Sequence, residues 1–270
     1  MKARLTATGE RMGFWERTWQ EREQEIRRRF GPTEPPDPVI PFSWDDIRLP
    51  GACALVFPPV HETTDPRGAW HRRDQWLYLT LGLTQPLDKR QVERERRAGK
   101  QYSSYGFELG ILTDEPADWP TGALYVFVSH VTDGVELDWG HRFAFGFHRT
   151  ADGTLGVFTG MPSELGIDPM GDIRAMLFWP YLFPEASFVT STGKAIIYIA
   201  TGITEDEWEL AKATTTAHVL LLLCRAGIGQ RTDPKRRSVL NDPRWKEEWQ
   251  TIAALEGEQA HAELERGRRR

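Results

Sequence analysis

The order of strand-like and helical segments constrains the fold of this 270-residue chain more than any other feature. Short apolar and aromatic runs follow one another through the middle of the sequence, separated by the Gly, Pro and Asp residues typical of turns. Helical patterns lie toward both ends. We therefore predict an α+β fold with a mixed, mostly antiparallel sheet, flanked by helices and extended by helices at both termini. The predicted strands are residues 52–57, 76–83, 107–112, 124–131, 142–148, 155–158 and 196–200.

The first helix is predicted over residues 12–30, where an apolar stripe faces one way and Glu and Arg fill the other face. Gly31-Pro32 ends it, because proline cannot continue a helix. We predict that the chain has three segments. Residues 1–45 form a helix with a Pro-rich connector, residues 46–238 form the main domain, and residues 239–270 form a helical tail. The stripe consists of Phe14, Trp15, Trp19, Ile26 and Phe30.

The clearest helix start is at Thr204, where Glu207 can accept a hydrogen bond from the backbone of the cap residue. We predict that this helix continues to about residue 226 and ends at Gly227. A further helical stretch is predicted over residues 241–270. Its apolar side carries Trp245, Trp249, Ile252 and Leu255.

The acidic residues of the chain are concentrated in its middle. The net charge is −5, but residues 101–230 hold 16 acidic and 6 basic side chains. Such a surface repels nucleic acid and attracts a cationic partner. We therefore expect a protein partner, a basic toxin domain among the candidates, and no nucleic acid.

The sequence carries no pattern of a membrane or secretion segment. Its longest apolar run in the C-terminal half, residues 219–224, is far shorter than the roughly 20 residues that span a bilayer. Cys53 and Cys224 are far apart, which indicates reduced thiols rather than a disulfide framework. We expect a cytoplasmic protein that does not bind membranes.

The usual sequence motifs of catalysis are missing. We find no phosphate-binding loop, no nucleophile elbow and no metalloprotease motif, and the cysteines are not spaced for zinc. We therefore predict a protein without enzymatic activity, catalytic residues, cofactor or metal. One alternative is a metal-dependent enzyme that uses His130, His141 and His148 with nearby carboxylates. Another is a dimeric scaffold that assembles through the terminal helices.

Trp139 is a candidate for partner binding, because it follows Asp138 in an acidic turn. An exposed tryptophan beside carboxylates is typical of a protein-binding hot spot. We predict that the partner binds there, with a second acidic edge further along the chain. The predicted partner-binding residues are Asp133, Glu136, Asp138, Trp139, Glu164, Asp168 and Asp172.

Several groups of residues, in order along the chain, resemble motifs of the suppressor-of-fused-like family. Residues 76–83 resemble the strand before its T-x-G-L-S turn, with Thr84 in place of the serine. Residues 105–109, Tyr-Gly-Phe-Glu-Leu, resemble the first half of its G-F-E-L-T-F-R-L strand, and Trp119-Pro120 and Gly140-His141 match later positions.

The resemblance continues in the C-terminal half. Residues 203–207, Ile-Thr-Glu-Asp-Glu, resemble an I-T-x-x-E helix start, and Thr232-Asp233 with Arg237-Ser238 resembles T-D-x-x-R-x-S. The family implies an α+β protein-binding domain, which in animals restrains a transcription factor of the Hedgehog pathway. The chain looks like the short bacterial type, which implies an immunity protein of a polymorphic toxin system.

Overall fold

The computed structural model describes residues 2–33, 39–41, 49, 52–61, 73–144, 147–149, 155–157, 173–182 and 186–268, with the backbone alone for residues 2–12, 39–41, 147–149, 155–157 and 268. The chain divides into two compact units. Unit 1 comprises Met1–Gly110 and Glu185–Ile197, and unit 2 comprises Ile111–Pro184 and Tyr198–Arg270.

The strands that the structure describes are β1 Val39–Pro41, β2 Cys53–Phe57, β3 Trp76–Leu81, β4 Tyr102–Thr113, β5 Arg142–Ala144, β6 Phe147–Arg149, β7 Leu155–Val157, β8 Ala175–Pro180, β9 Ser187–Thr190 and β10 Gly193–Ile203. The main sheet has the order β1-β2-β3-β4-β10-β8-β5, and β9 pairs with β10. β6 and β7 form a separate antiparallel pair. The predicted α+β fold with a mixed, mostly antiparallel sheet is confirmed.

The described helices are α1 Lys2–Phe30, α2 Lys89–Arg97, α3 Trp119–Thr132, α4 Glu205–Ala213, α5 Thr216–Arg225, α6 Pro243–Ala253 and α7 Gly257–Arg268, with a short 3-10 helix at Val239–Asn241. None of the helices in the described part of the chain is both long and apolar enough to cross a membrane.

Unit 1 holds α1 in place with a buried arginine. Thr18, Arg22, Ile26 and Phe30 are spaced four residues apart, and all four are buried. The prediction that the arginines of this helix lie on its outer face is therefore wrong for Arg22, which is fully buried. The signal was its helical spacing from Ile26, which places both side chains on one face.

Each of the three guanidinium nitrogens of Arg22 donates a hydrogen bond inside unit 1. The guanidinium donates to the carbonyl oxygens of Thr18 at 2.6 Å and Thr84 at 3.0 Å, and to Ser103 Oγ at 2.8 Å. It also donates to Thr192 Oγ1. Burial lowers the pKa of Arg22 to about 10, so the group stays charged at neutral pH.

Unit 2 is built around α5, whose residues 219–223 are all buried. On one side they share an apolar core with β8 and β10, including Leu177 and Ile203. The same core includes Ile252 of α6 and Leu264 of α7. The two C-terminal helices therefore pack within their own chain.

The strand predicted over residues 124–131 is wrong, because this segment belongs to α3. Its aromatic and β-branched residues favour a strand. The residues that α3 buries, however, follow the helical period, and Pro120 suits the first turn of a helix. Those buried along the helix include Ala123, Leu124, Phe127, Val128 and Val131.

Two predicted continuous helices are each divided in the structure. The helix that begins after Thr204 ends at Ala213, and α5 starts at Thr216. Three consecutive threonines lie at this break, and their hydroxyls compete for backbone hydrogen bonds. The predicted C-terminal stretch likewise divides into α6 and α7, with Gly257 at the start of the second helix.

Candidate functional site: an acidic and aromatic surface

The loop after α3 carries four of the predicted partner-binding residues, Asp133, Glu136, Asp138 and Trp139, and all four are exposed. We call them the Trp139 surface. The loop begins with helix-ending hydrogen bonds, from Asp133 N to Ser129 O at 2.9 Å and from Val135 N to His130 O at 3.0 Å. The surface therefore starts from a defined helix end in unit 2.

Asp138 uses one carboxylate oxygen to shape the loop. Its Oδ1 accepts from Trp139 N at 2.6 Å and from the Tyr198 hydroxyl at 3.2 Å. Its backbone N–H donates to Nδ1 of His141 at 2.7 Å. The other oxygen, Oδ2, accepts no hydrogen bond from the residues that the structure describes, which leaves a fixed acceptor at the surface.

Trp139 has one side against protein and one side open. Its ring stacks on Trp179 at a centroid distance of 5.2 Å and an interplanar angle of 10°, and 48% of the residue is exposed. The His261 ring of α7 lies 4.6 Å from Trp139 and 5.4 Å from Trp179, edge to face with both. Because the three ring centroids are at similar distances from one another, His261 lies beside the Trp139–Trp179 stack and does not cover the open face of Trp139.

The end of the loop is joined to the sheet of unit 2. Gly140 N donates to Phe178 O at 2.8 Å, and Phe178 N donates to His141 O at 2.9 Å. Thr216 Oγ1 of α5 donates to Gly140 O at 2.6 Å. Because both ends of the loop are anchored, the surface is preorganised, and binding would require little ordering of its backbone.

Three further predicted residues, Glu164, Asp168 and Asp172, lie outside the described residues. The second acidic edge therefore stays a prediction. Sequence reasoning missed Tyr198 and His261, which support the Trp139 surface from β10 and α7. Their separation of at least 59 positions from Trp139 in the sequence left no local pattern from which to infer the contact.

Two histidines of the alternative metal site, His130 and His141, have different neighbours. The His130 ring lies 5.1 Å from the Phe143 ring, and His141 Nδ1 accepts from Asp138 N. The side chain of His148 lies outside the described residues. Among the described residues, no three His, Cys, Asp or Glu side chains are grouped as metal ligands.

Unit 2 also contains a surface cavity of about 500 Å³ near the start of α3. Trp119, Pro116 and Pro234 give it apolar walls, and Asp233 and Lys235 add opposite charges. The Trp-Pro motif and the Thr232-Asp233 motif thus lie at one cavity, which the sequence did not predict.

Glu108 of β4 lies in the segment that resembles the G-F-E-L motif, and it is completely buried in unit 1. Its carboxylate accepts from the hydroxyls of Thr80 at 2.6 Å and Thr84 at 2.7 Å. The backbone N–H groups of Gly82, Leu83 and Thr84 also donate to it, at 2.9–3.4 Å. Burial raises the pKa of Glu108, and the hydrogen bonds from Thr80, Thr84 and Gly82 oppose the rise.

The turn that donates to Glu108 requires glycine at position 82 for a steric reason. Gly82 has φ +139°, and a Cβ atom there would lie 2.9 Å from the Ala52 Cα atom. A larger residue would push the turn away from Glu108. The turn and the glutamate therefore form one structural motif rather than a reactive site.

The second buried glutamate, Glu207 in unit 2, is paired with an arginine. Arg236 Nη1 donates to Glu207 Oε1 at 2.7 Å, and Arg236 Nη2 donates to Oε2. Thr204 N and Val239 N each donate to the same carboxylate at 3.0 Å. The predicted hydrogen bond from the Thr204 backbone to Glu207 is thereby confirmed. The arginine of the T-D-x-x-R-x-S motif that starts at Thr232 is Arg236 rather than Arg237.

The two cysteines are poor nucleophiles. Burial raises the pKa of Cys53 to about 12 and that of Cys224 to about 11. Both are free thiols, and at neutral pH they remain protonated. Cys53 is buried and Cys224 is half-buried.

Comparison with known proteins agrees with the motifs. The family model described as Suppressor of fused protein (SUFU) matches residues 66–237. No curated protein matches the sequence. The fold resembles that in the Sufu-Fu complex crystal structure, with a TM-score of 0.54, 16% identity, and coverage of 86% of this chain and 95% of the other.

Two further solved structures are similar. Drosophila Suppressor of Fused matches with a TM-score of 0.50 and 17% identity, over 76% of this chain and 47% of that one. A putative SUFU homolog from Neisseria gonorrhoeae matches with a TM-score of 0.50 and 14% identity, over 83% and 97%. At these identities, the structural likenesses show the fold alone.

Proposed function

Since the chain belongs to the Suppressor of fused family, we propose that it is a non-enzymatic protein-binding module whose partner binds the Trp139 surface. The observation that carries this proposal is the half-exposed Trp139 stacked on the buried Trp179. A relative of the same fold was solved in a Sufu-Fu complex. Protein binding by that relative supports the same class of function here.

Physical features of the Trp139 surface suit a binding hot spot. Tryptophan supplies a large apolar area with little side-chain entropy to lose, and Trp179 already fixes its ring. The exposed carboxylates around it form a polar rim. A partner that covers Trp139 would gain apolar burial in the centre and electrostatic complementarity at the edge.

The partner chemistry that fits best is a basic side chain, as in a cationic toxin domain. A guanidinium or ammonium group over the open face of Trp139 would form a cation–π contact, worth about 0.5–2 kcal/mol. The same group could donate to Asp138 Oδ2, which has no hydrogen-bond donor among the described residues. Arginine fits both requirements, because its planar group can stack and donate at once.

The finer proposal is that this module is an immunity protein, which binds and neutralises a cognate toxin domain in a bacterial polymorphic toxin system. Two observations support it. The Neisseria gonorrhoeae homolog matches over nearly its whole length, so the fold occurs as a bacterial protein of similar extent. The acidic middle of the chain also suits the capture of a basic domain.

The test begins with affinity capture of the tagged full-length protein from its native lysate and identification of the bound protein. The purified partner is then titrated against wild type, Trp139→Ala and Asp138→Asn. Asparagine retains an oxygen for Trp139 N and Tyr198 but removes the charge. We expect Trp139→Ala to weaken binding by at least about 2 kcal/mol, as at other hot spots.

Charge reversal supplies the matched comparison. The double variant Asp133→Lys/Glu136→Lys changes exposed acids of the Trp139 surface, while Glu16→Lys/Glu247→Lys makes the same change elsewhere. We expect only the first pair to slow association and to reduce its salt dependence. Equal effects of the two pairs, or none, would rule out this surface.

Immunity requires a second readout. The partner is expressed in cells with wild type or with Trp139→Ala, and growth is measured. Growth arrest that only wild type relieves would support the immunity proposal. A partner that binds tightly but does not impair growth would leave the binding module in place and reject immunity.

The remaining expectations stay predictions. The free cysteines support a reducing, cytoplasmic location. Self-association through the terminal helices is testable by solution mass. The metal-dependent alternative would require stoichiometric metal in the purified protein together with a pH-dependent activity.

A further inference from the structure

Unit 1 carries an exposed surface of the opposite charge, on α2 and the start of β4. Residues 89–100 contain six Lys or Arg and two Glu. Arg90, Arg94 and Arg97 are exposed and follow the spacing i, i+4, i+7, which puts them within a face about 60° wide. Val92, the buried residue of α2, lies on the opposite side. We call the three arginines with Tyr102 and Tyr105 the α2 surface.

The three guanidinium groups have no acidic partner among the residues that the structure describes. None of them forms an ion pair with a described residue, whereas most arginines of α1 and unit 2 that the structure describes do. Glu93 is exposed beside the row, yet it forms no ion pair with a described residue. The Glu95 carboxylate lies on another side of the helix. It accepts from Gln91 Nε2 at 3.0 Å and from Ser104 N at 3.4 Å.

Helix stability accounts for only part of this charge, because Arg94 and Arg97 lie in the last turn of α2, where cations suit the helix dipole. Lys89 and Arg90 lie in the first turn of α2, which contains no acidic residue. Cations there oppose the helix dipole, and like charges four residues apart repel each other. Asp88 caps the helix by accepting from Gln91 N at 2.8 Å, which offsets the unfavourable cations of the first turn.

Two exposed tyrosines adjoin the helix on β4. Tyr102 and Tyr105 are three residues apart, so a regular strand would point them to opposite faces. Both are nevertheless 41% exposed. Between them, Ser104 has φ +53°, a left-handed conformation that is unfavourable for a residue other than glycine. This local distortion breaks the alternation and accompanies the exposure of both rings.

The position of Tyr102 is fixed. A Cβ atom at Gly106 would lie 3.0 Å from Tyr102 Cβ, so the side chain of Tyr102 packs over a position that only glycine leaves open. Lys194 Nζ lies 5.9 Å from the centroid of its ring. Arg96 joins α2 to the neighbouring turn by donating to Ser191 O at 2.8 Å. The segment of β4 that carries the two tyrosines contacts α2 directly, because Ser104 N donates to Glu95.

We propose that the α2 surface binds an acidic segment of a protein partner, with Arg90, Arg94 and Arg97 binding carboxylates and the two tyrosines covering the apolar parts of the segment. Guanidinium groups hold carboxylates by paired hydrogen bonds, and tyrosine hydroxyls can donate to them. The site is separate from the Trp139 surface and does not depend on it.

An acidic peptide fits better than nucleic acid. The arginine row extends over only about 10 Å of helix, enough for a few carboxylates. The chain as a whole has a net charge of −5, which repels a long polyanion but admits a short acidic segment that contacts the row directly.

The test measures fluorescence anisotropy of a labelled oligoglutamate peptide with the full-length protein, beside an oligoglutamine peptide and a single-stranded oligouridylate. Arg90→Gln/Arg94→Gln/Arg97→Gln removes the row while keeping helix propensity. Lys235→Gln/Arg237→Gln/Lys246→Gln is the matched control, since it removes three exposed cations from unit 2. Circular dichroism and thermal unfolding establish that each variant folds.

We expect oligoglutamate to bind at about 0.01 M ionic strength and more weakly at about 0.15 M, where screening is stronger. The triple variant of α2 should weaken binding about tenfold, and the control much less. Tyr105→Ala should also weaken binding, although it leaves every cation in place. Absence of oligoglutamate binding, equal losses in both triple variants, or tighter binding of oligouridylate would overturn the proposal.

Discussion

Among the described residues, unit 1 and unit 2 each bury one glutamate completely, and they stabilise the two carboxylates differently. In unit 1, Glu108 accepts five hydrogen bonds from hydroxyl and backbone donors, all uncharged. In unit 2, Glu207 accepts two backbone hydrogen bonds and faces the guanidinium of Arg236. Both glutamates lie in segments that resemble family motifs, and in both segments the glutamate stabilises the fold.

The difference determines how each unit responds to a lost side chain. Arg22 attracts Glu108 electrostatically but does not donate to it. The two side chains share Thr84, whose Oγ1 lies 3.3 Å from Arg22 Nε and donates to Glu108. Charge compensation in unit 1 is therefore indirect and spread over many donors. In unit 2, one arginine compensates the charge, and its loss leaves a buried carboxylate without a counterion.

The largest expected effect is that of Arg236→Met. Methionine keeps part of the apolar volume but leaves Glu207 unpaired, and breaking a buried ion pair reduces the free energy of unfolding by about 3–5 kcal/mol. Urea unfolding of the full-length protein measures the loss. Arg237→Met is the control, because Arg237 is exposed, and we expect a change within about 0.5 kcal/mol. Similar losses in both variants would remove the distinction between the units.

Arg22→Met should have the next largest effect, about 2–3 kcal/mol, because it leaves the buried oxygens that accept from Arg22 without their donor and removes a cation near Glu108. Arg17→Met, an exposed position on the same helix, is the control. Hydrogen exchange should detect lost protection in β3 and β4 of unit 1 and little change in α5 of unit 2. A uniform loss across both units would show that they do not unfold separately.

Glu108→Gln is expected to cost less, about 1–2 kcal/mol at neutral pH, because an amide still accepts some of the five hydrogen bonds. The pH dependence is more informative. Since the pKa of Glu108 is raised above 4.5 by burial, the folded state binds its proton more tightly than the unfolded state does.

The stability that wild type gains over Glu108→Gln should therefore be largest below pH 4.5. It should shrink as the pH rises from there through the raised pKa, because the folded state must then hold a buried charge. Urea unfolding of both proteins across this range tests the sign. An advantage that grows with pH would mean that the five donors outweigh burial.

The class of the fold and most of its strands were predictable from the sequence, because turn residues and apolar runs are local signals. The segment 124–131 was not, since its aromatic and β-branched residues favour a strand while its buried positions follow a helical period. The break at Thr214-Thr215 also escaped prediction, because one continuous helix satisfies the same apolar pattern.

The candidate site was predictable in part. Trp139 and its acidic neighbours are adjacent in the sequence, and their exposure follows from their polarity. Their support was not predictable, since Trp179, Tyr198 and His261 approach the loop only through the fold. Arg22 was misplaced for a related reason: a charged residue normally lies at the surface, and only its specific partners justify burial.

The smallest expected effect on stability is that of Trp139→Ala, which extends the comparison from the buried carboxylates to the exposed surface. Half of the residue is already in water, so we expect a loss of about 1 kcal/mol, mainly from the stack on Trp179. Trp179→Ala, at a buried position in the same stack, should cost about 3–5 kcal/mol. Urea unfolding measures both. If Trp139→Ala destabilises as much as Trp179→Ala, Trp139 belongs to the core of unit 2 and the proposed binding surface loses its central residue. If Trp139→Ala lowers the free energy of unfolding only slightly while partner affinity falls sharply, then unit 2 holds the ring in place and the partner binds its exposed side.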